Sequence, residues 1–266
     1  MKSVINTFVF GSLIIYLSCN SVNSNENSET LSETKQEEKS KLVIANTISE
    51  IKCPINFSRI ETDSYGKWMR NLKLNEDNTV YYYNGDKKPD QSIHVSVLNF
   101  DIGTRDLQQC ADACMRIRAE YLFEQKKYDQ IKFLLANGKR KSFKEYTTKR
   151  DYKSFRKYMT YIFSYANTAS LKKQMKQVGS FKNIQIGDVL VQSGNPYGHA
   201  VTVMDVCENE KGERMFMLSQ SYMPAQNIEI LINPKSLTKS PWYPVDFEDD
   251  LVTPEWVFSK LDLKRF

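Results

Sequence analysis

Apolar residues recur with one period early in the chain, another in its middle and a third near its end. Between residues 78 and 100, NTVYYYNG, a charged turn and SIHVSVLNF alternate apolar with polar positions and are rich in β-branched and aromatic residues, which predicts two strands. The period then lengthens. TRDLQQCADACMRIRAEYLFEQKKY sets Leu107, Cys110, Cys114, Ile117 and Tyr121 three and four apart, the stripe of an amphipathic helix with Thr104 or Asp106 as N-cap. IKFLLANG predicts a short strand ending in an Asn-Gly turn, and DYKSFRKYMTYIFSYA and SLKKQMKQVG predict two more helices, the second closed by Gly179. The last third returns to short runs, IGDVLVQSG, HAVTVMDVCEN and ERMFMLSQSYM, which predict an antiparallel meander. With no internal repeat and no second linker, residues 51–266 read as one α+β domain.

The first fifty residues follow a different logic. Lys2, the apolar stretch VINTFVFGSLIIYL and then SC have the anatomy of a secretory signal over residues 1–18. The apolar run is shorter than the roughly 20 residues a membrane span needs. YLSC resembles a bacterial lipobox, with Tyr16 where leucine is usual, and makes Cys19 the expected lipidated N-terminus. An ordinary signal peptide with an incidental Cys19 is the plainer alternative. Residues 19–50 are rich in Asn, Ser, Glu and Lys, the composition of a disordered tether that holds a domain off a surface. The mature protein is therefore expected in the cell envelope, anchored to a membrane by lipid.

Charge adds a partner question. The net formal charge is +5, and between residues 124 and 157 twelve basic residues stand against four acidic ones. Outside the cytoplasm nucleic acid is not the expected partner; an anionic envelope polymer or lipid headgroup is, unless these are only solvated faces. Four cysteines remain after Cys19, at positions 53, 110, 114 and 207, an even number whose spacing leaves the pairing open. With two histidines and no glycine-rich phosphate loop, no metal or cofactor is expected.

The chemistry-bearing candidates are Cys110 and His199. Cys110 lies near the start of the predicted helix, where the peptide dipoles favour a thiolate. His199 opens the strand that begins in YGHAVTVMDV. If residues 208–213 form a hairpin turn, facing residues have numbers summing to about 421, so Gln220 shares a face with His199 on the neighbouring strand. A one-residue slip hands that place to Ser219 or Ser221. The plainer alternatives are a core thiol and a strand-end histidine. His94 reads as structural, and Trp68, Arg70 and Trp242 read either as a recognition surface or as packing under loops.

A cysteine at a helix start, a histidine at a strand start and a polar residue on the next strand resemble the papain-like cell-wall hydrolases of the NlpC type. Gly187 and Asp188 in IGDVLV resemble the Gly-Asp that opens the preceding strand in those enzymes. The resemblance implies a papain-like fold with N-terminal helices packed on a small antiparallel sheet. It also implies Cys110 as nucleophile, His199 as base and Gln220 as orienter, in an amidase or peptidase acting on peptidoglycan stem peptides. Gln108 or Gln109 is the candidate oxyanion donor. The match departs in QQ before the cysteine, in ADA after it, and in the long Cys-to-His separation. YGKWMRNL, VYYYNG, DLQQCADACMRIRAEYL and IGDVLVQSGNPYGHAVTVMDV further resemble a family of envelope lipoproteins of diderm bacteria with no established activity. A non-catalytic lipoprotein that binds glycan or peptide is the alternative reading.

Overall fold

The computed structural model describes residues 45–266. The expected signal peptide, Cys19 and the tether up to residue 44 lie outside them. Near the start of the described residues Thr47 bridges to Lys73, and Ile48 is fully buried.

The first half of the chain forms β1 (Phe57–Arg59), α1 (Ser64–Arg70), β2 (His94–Val97), α2 (Cys110–Glu124), β3 (Lys132–Leu134), β4 (Arg140–Ser142), α3 (Phe143–Tyr146), α4 (Tyr152–Tyr165) and α5 (Thr168–Gln174). Strands then dominate: β5 (Lys176–Gln177), β6 (Val189–Gln192), β7 (His199–Asn209), β8 (Arg214–Gln220), β9 (Glu229–Leu231), β10 (Trp242–Pro244), β11 (Leu251–Val252), β12 (Val257–Phe258) and β13 (Leu263–Arg265). Nine of them make one sheet, ordered β2, β9, β8, β7, β6, β13, β5, with β1 added to β7 and β10 to β8. Neighbours pair antiparallel throughout.

β7 is the spine of this sheet. Its first nine residues are all buried, because both faces are covered, and such a strand reads as an apolar run rather than an alternation. α2 lies against β7 and β8 and also touches α4 and α5. Twelve of its fifteen residues are buried, so it is a core helix and not a surface amphipath. The polar members are paired: Arg116 bonds Glu120, and donates to Gln108 Oε1 at 2.8 Å.

This architecture overturns the papain-like, NlpC-like arrangement expected from the sequence. The sheet is the large element and not a small one, and it takes strands from residue 57 to residue 265, with the helices inserted among them. The reason is length. β1, β2, β5, β9, β10 and β13 span two to four residues each, too few to show a period of two, and their state is set by the partners they meet in the sheet.

Smaller expectations shift for related reasons. NTVYYYNG makes isolated bridges, Tyr81 to Lys87 and Tyr82 to Gln226, instead of a strand. The helix expected up to Gly179 ends at Gln174 and passes into β5. α2 starts at Cys110 with Gln109 as N-cap, because the Asp106 carboxylate is already engaged: it accepts from the Ala225 N–H at 2.7 Å and from Gln109 Nε2 at 2.9 Å. Among the described residues no helix is long and apolar enough to cross a membrane.

Candidate functional site

The β7–β8 hairpin aligns two of the candidate residues. Thr202 faces Ser219 and Val203 faces Leu218, and a bulge then shifts the register so that Asp205 faces Met217. Counting back from Thr202–Ser219 sets Gln220 beside Val201, with its side chain on the face that carries His199. The two side chains meet: His199 Nε2 and Gln220 Oε1 are 2.9 Å apart. Ser219 and Ser221 do not take this place. Ser221 Oγ instead lies 2.9 Å from the backbone carbonyl oxygens of both Gln108 and Gln226, to one of which its single hydrogen is donated.

Cys110 reaches the same strand from α2. Its Sγ–H donates to the Gly198 carbonyl at 3.9 Å, and the nearby Ala200 N–H favours its thiolate. Residues two apart on a strand send their backbone groups to the same edge. Val203 faces β6, through bonds to Gly187 and Asp188, so Gly198 and Ala200 face the opposite edge, where β8 has ended at Gln220. The thiol therefore sits on the edge of β7 that β8 vacates, against the backbone on either side of His199. Gly198 is required there by close approach: a Cβ would fall 2.2 Å from the Gln192 carbonyl oxygen and 2.7 Å from Thr168 Oγ1.

Solvent reaches this edge. Cys110, Gln109, Gly198 and Tyr197 line a cleft of about 290 Å³ between the start of α2, the segment before α5 and the β6–β7 connection. A second lobe continues it past Asp106, Gln109 and Tyr197 to Tyr222, Pro224 and Trp256. The imidazole lies behind this second wall. Ring centroids of Tyr222, Trp256 and Phe258 stand 4.9, 5.3 and 5.9 Å from that of His199, which is completely buried.

Burial keeps both groups neutral. It pushes the Cys110 thiol up to about 12, with Asp112 adding to the effect and the N–H groups of Ala111, Ala200 and Cys110 itself opposing it. It also holds His199 down at about 4, against the help of Gln220. The Nδ1 atom of His199 is buried with no hydrogen-bond partner. Gln109 lines the cleft, whereas Gln108 is completely buried with its Nε2 unpartnered, so neither side chain is placed as an oxyanion donor by contact. The Cys110 and Ala111 N–H groups at the start of α2 lie close enough to the sulfur to favour its thiolate.

Behind Gln220 lies a cluster of buried Lys88, His94 and Glu229 with half-buried Glu255. His94 Nε2 is 2.7 Å from the Asn78 carbonyl and Nδ1 is 3.2 Å from Glu229 Oε2. Nε2–H donates to that carbonyl, while Nδ1 lies within ion-pair reach of Glu229 without forming a hydrogen bond, a setting that favours positive charge on the ring. Burial opposes this charge, but Glu229 and the Asn78 carbonyl outweigh it and raise the pKa.

The chain's two histidines therefore act on stability with opposite sign. His94, raised on folding, contributes stability that is full below the ordinary imidazole value of about 6.5 and is lost as pH rises through its folded value. His199, depressed to about 4, contributes stability that is present above about 6.5 and is lost as pH falls toward its folded value. Urea unfolding followed from pH 4 to 8 is expected to show both slopes, the acid one absent in His199→Gln and the upper one absent in His94→Gln. A flat profile in the wild type would contradict the charge assignment.

The residues read either as a recognition surface or as packing under loops lie in regular elements, Trp68 and Arg70 in α1 and Trp242 in β10, and are tied to their neighbours. Arg70 Nε donates to the buried Asp205 at 2.8 Å, Trp242 is buried and donates to the Lys52 carbonyl, and Trp68 donates to Glu124. Trp256 is the tryptophan that faces the cleft. Gly187 has φ +86 and Asp188 pairs with Arg265 at 2.6 Å, which ties β13 to the start of β6. All four cysteines of the described residues are free thiols. Among the described residues no group of three or more His, Cys, Asp or Glu side chains is placed to hold a metal ion.

Comparison with known proteins adds a family and no chemistry. No curated protein and no solved structure matches this chain. Residues 48–265, the folded part almost in full, match the family described as domain of unknown function (4846), and the chain belongs to that family.

Proposed function

We propose that the protein is a cysteine-dependent acyl-transfer enzyme, an amidase or peptidase that attacks amide carbonyls with Cys110 and uses His199 as its base. One observation carries the reading: the thiol opening into the cleft lies on the backbone that flanks His199, while Nδ1 of that histidine is bare and unpartnered. The reaction starts from a neutral pair. As sulfur bonds to the carbonyl carbon, the thiol proton passes to Nδ1, and the carbonyl π pair moves onto oxygen beside the α2 N–H groups. Collapse expels the amine, which takes the proton back from Nδ1, and water then hydrolyses the thioester with the same base.

The aromatic second lobe, Tyr197, Tyr222 and Trp256, suits a peptide or glycan flank beside the scissile bond. In the cell this chemistry would work outside the cytoplasm, held by a lipid on Cys19, with peptide of the cell wall as the nearest substrate. The same aromatic wall also supports a second reading, a module that binds glycan or peptide without cleaving it.

The test is covalent capture. p-Nitrophenyl acetate at pH 7 is expected to release a burst of p-nitrophenolate and to leave an acetyl group on Cys110, mapped by mass spectrometry and absent in Cys110→Ala. A wild-type protein that is not acetylated above the rate of the three other thiols favours binding alone.

A further inference from the structure

Gln220 is held from behind more firmly than an orienting residue requires. Its Nε2 donates to Glu229 Oε1 at 2.9 Å and to Glu255 Oε2 at 2.6 Å. Lys88 Nζ closes the same ring, donating to those two oxygens at 2.8 and 2.7 Å. Gln226 Nε2 adds a further bond to Glu229 Oε1 at 2.8 Å. Lys88 thus pairs with both carboxylates, and His94 Nδ1 lies 3.2 Å from Glu229 Oε2, which lets the two carboxylates stay ionised largely out of water.

This arrangement leaves the amide of Gln220 one orientation. An amide has two donor hydrogens and one acceptor oxygen, and both carboxylates demand donors. Turning the amide over would set its carbonyl oxygen against two carboxylate oxygens. The oxygen therefore faces His199, and an acceptor at Nε2 requires the imidazole hydrogen on Nε2. Nδ1 is then the lone-pair nitrogen.

We propose that Lys88, Glu229 and Glu255 form a positioning array that locks the Gln220 amide and so holds His199 in the single tautomer with hydrogen on Nε2 and a bare Nδ1. None of the three touches the thiol or the cleft's substrate edge; each acts through Gln220. The tautomer follows from the hydrogen bonds alone, while its use for accepting the Cys110 proton rests on the function proposed above.

The array has a direct spectroscopic readout. In ¹⁵N-labelled protein near pH 7, with His94→Gln used to assign the two rings, His199 is expected to show one pyrrole-like nitrogen at Nε2 and one pyridine-like nitrogen at Nδ1. Glu229→Gln together with Glu255→Gln replaces both acceptors by amides that can present either end to Gln220. The single-tautomer signal is then expected to be lost, with both His199 nitrogens moving to intermediate shifts. Glu255→Gln alone serves if the double variant does not fold, because Glu255 is the more exposed of the two carboxylates; it is expected to shift the nitrogens part of the way.

Unchanged His199 nitrogen shifts in a folded Glu255→Gln or double variant would overturn the array, as would a wild-type ring with hydrogen on Nδ1. This failure is separable from that of the proposed chemistry. A locked Nε2–H ring in a protein whose Cys110 cannot be acetylated leaves the array standing and removes the enzyme.

Discussion

Exchange of His199 for alanine is expected to slow acetylation of Cys110 by about 10²- to 10⁴-fold at pH 7, the range general-base assistance supplies. The size follows from the thiol's surroundings. With its pKa pushed up to about 12, only about one part in 10⁵ of Cys110 is thiolate at pH 7 without help. The neighbouring N–H groups favour the thiolate but do not overcome burial. A base that takes the proton during attack is the remaining route, and Nδ1 of His199 is an unpartnered nitrogen beside that backbone. Gln220→Ala keeps the base but releases its ring, so a smaller loss is expected. The rate of p-nitrophenolate release with the variants at equal concentration measures both. Equal rates in wild type and His199→Ala would remove the imidazole from the mechanism.

Asp205→Ala is expected to lower unfolding stability by about 3 kcal/mol, the lower end of the range for breaking a buried ion pair. Asp205 is wholly buried at the β7 bulge, and its two oxygens take Arg59 Nε at 2.6 Å and Arg70 Nε at 2.8 Å. Oδ1 also accepts the Val206 N–H at 2.9 Å. One side chain thus ties β1 and α1 to the spine strand. Removing it leaves two guanidinium groups facing each other, and their partial exposure, 24% and 14%, limits the loss by letting water in. A shift in the urea midpoint with unchanged slope is the measurement. A loss below about 1 kcal/mol would place the pair with surface salt bridges, which contribute little.

What could be read from the chain was local. The sum of 421 expected from the turn does not hold beside it, where Glu208 faces Arg214 and Asp205 faces Met217; the bulge between Val203 and Asp205 shifts the register by one residue and so puts Gln220 on the face of His199. α2 and α4 are legible as helices because each is long enough to repeat, although α2 is buried nearly all round and not along one stripe alone. The start of α2 was not. Asp106 looks like a cap in sequence, but the Ala225 N–H, more than a hundred residues away, takes its carboxylate.

The cluster behind Gln220 shows the same limit more sharply. Lys88 sits in a charged turn, and Glu229 and Glu255 look like solvated carboxylates. Nothing within a few residues of any of them says that they will share a ring, since the contacts Lys88–Glu229 and Lys88–Glu255 span 141 and 167 residues. The size of the sheet was hidden for a related reason: strands of two to four residues carry no period of their own, and a neighbour decides their state.

The sequence by itself determined the long elements and the β7–β8 hairpin, because each of these depends on residues close in the chain, whereas the bulge that aligns Gln220 with the face of His199 appears only in the folded sheet. Only the tertiary structure decided that the sheet has nine strands, that the thiol fills the edge β8 vacates, and that charges from three distant segments fix the amide behind the histidine. Hydrophobic period and turn chemistry are short-range signals. Burial and charge pairing exist only after the chain has closed on itself.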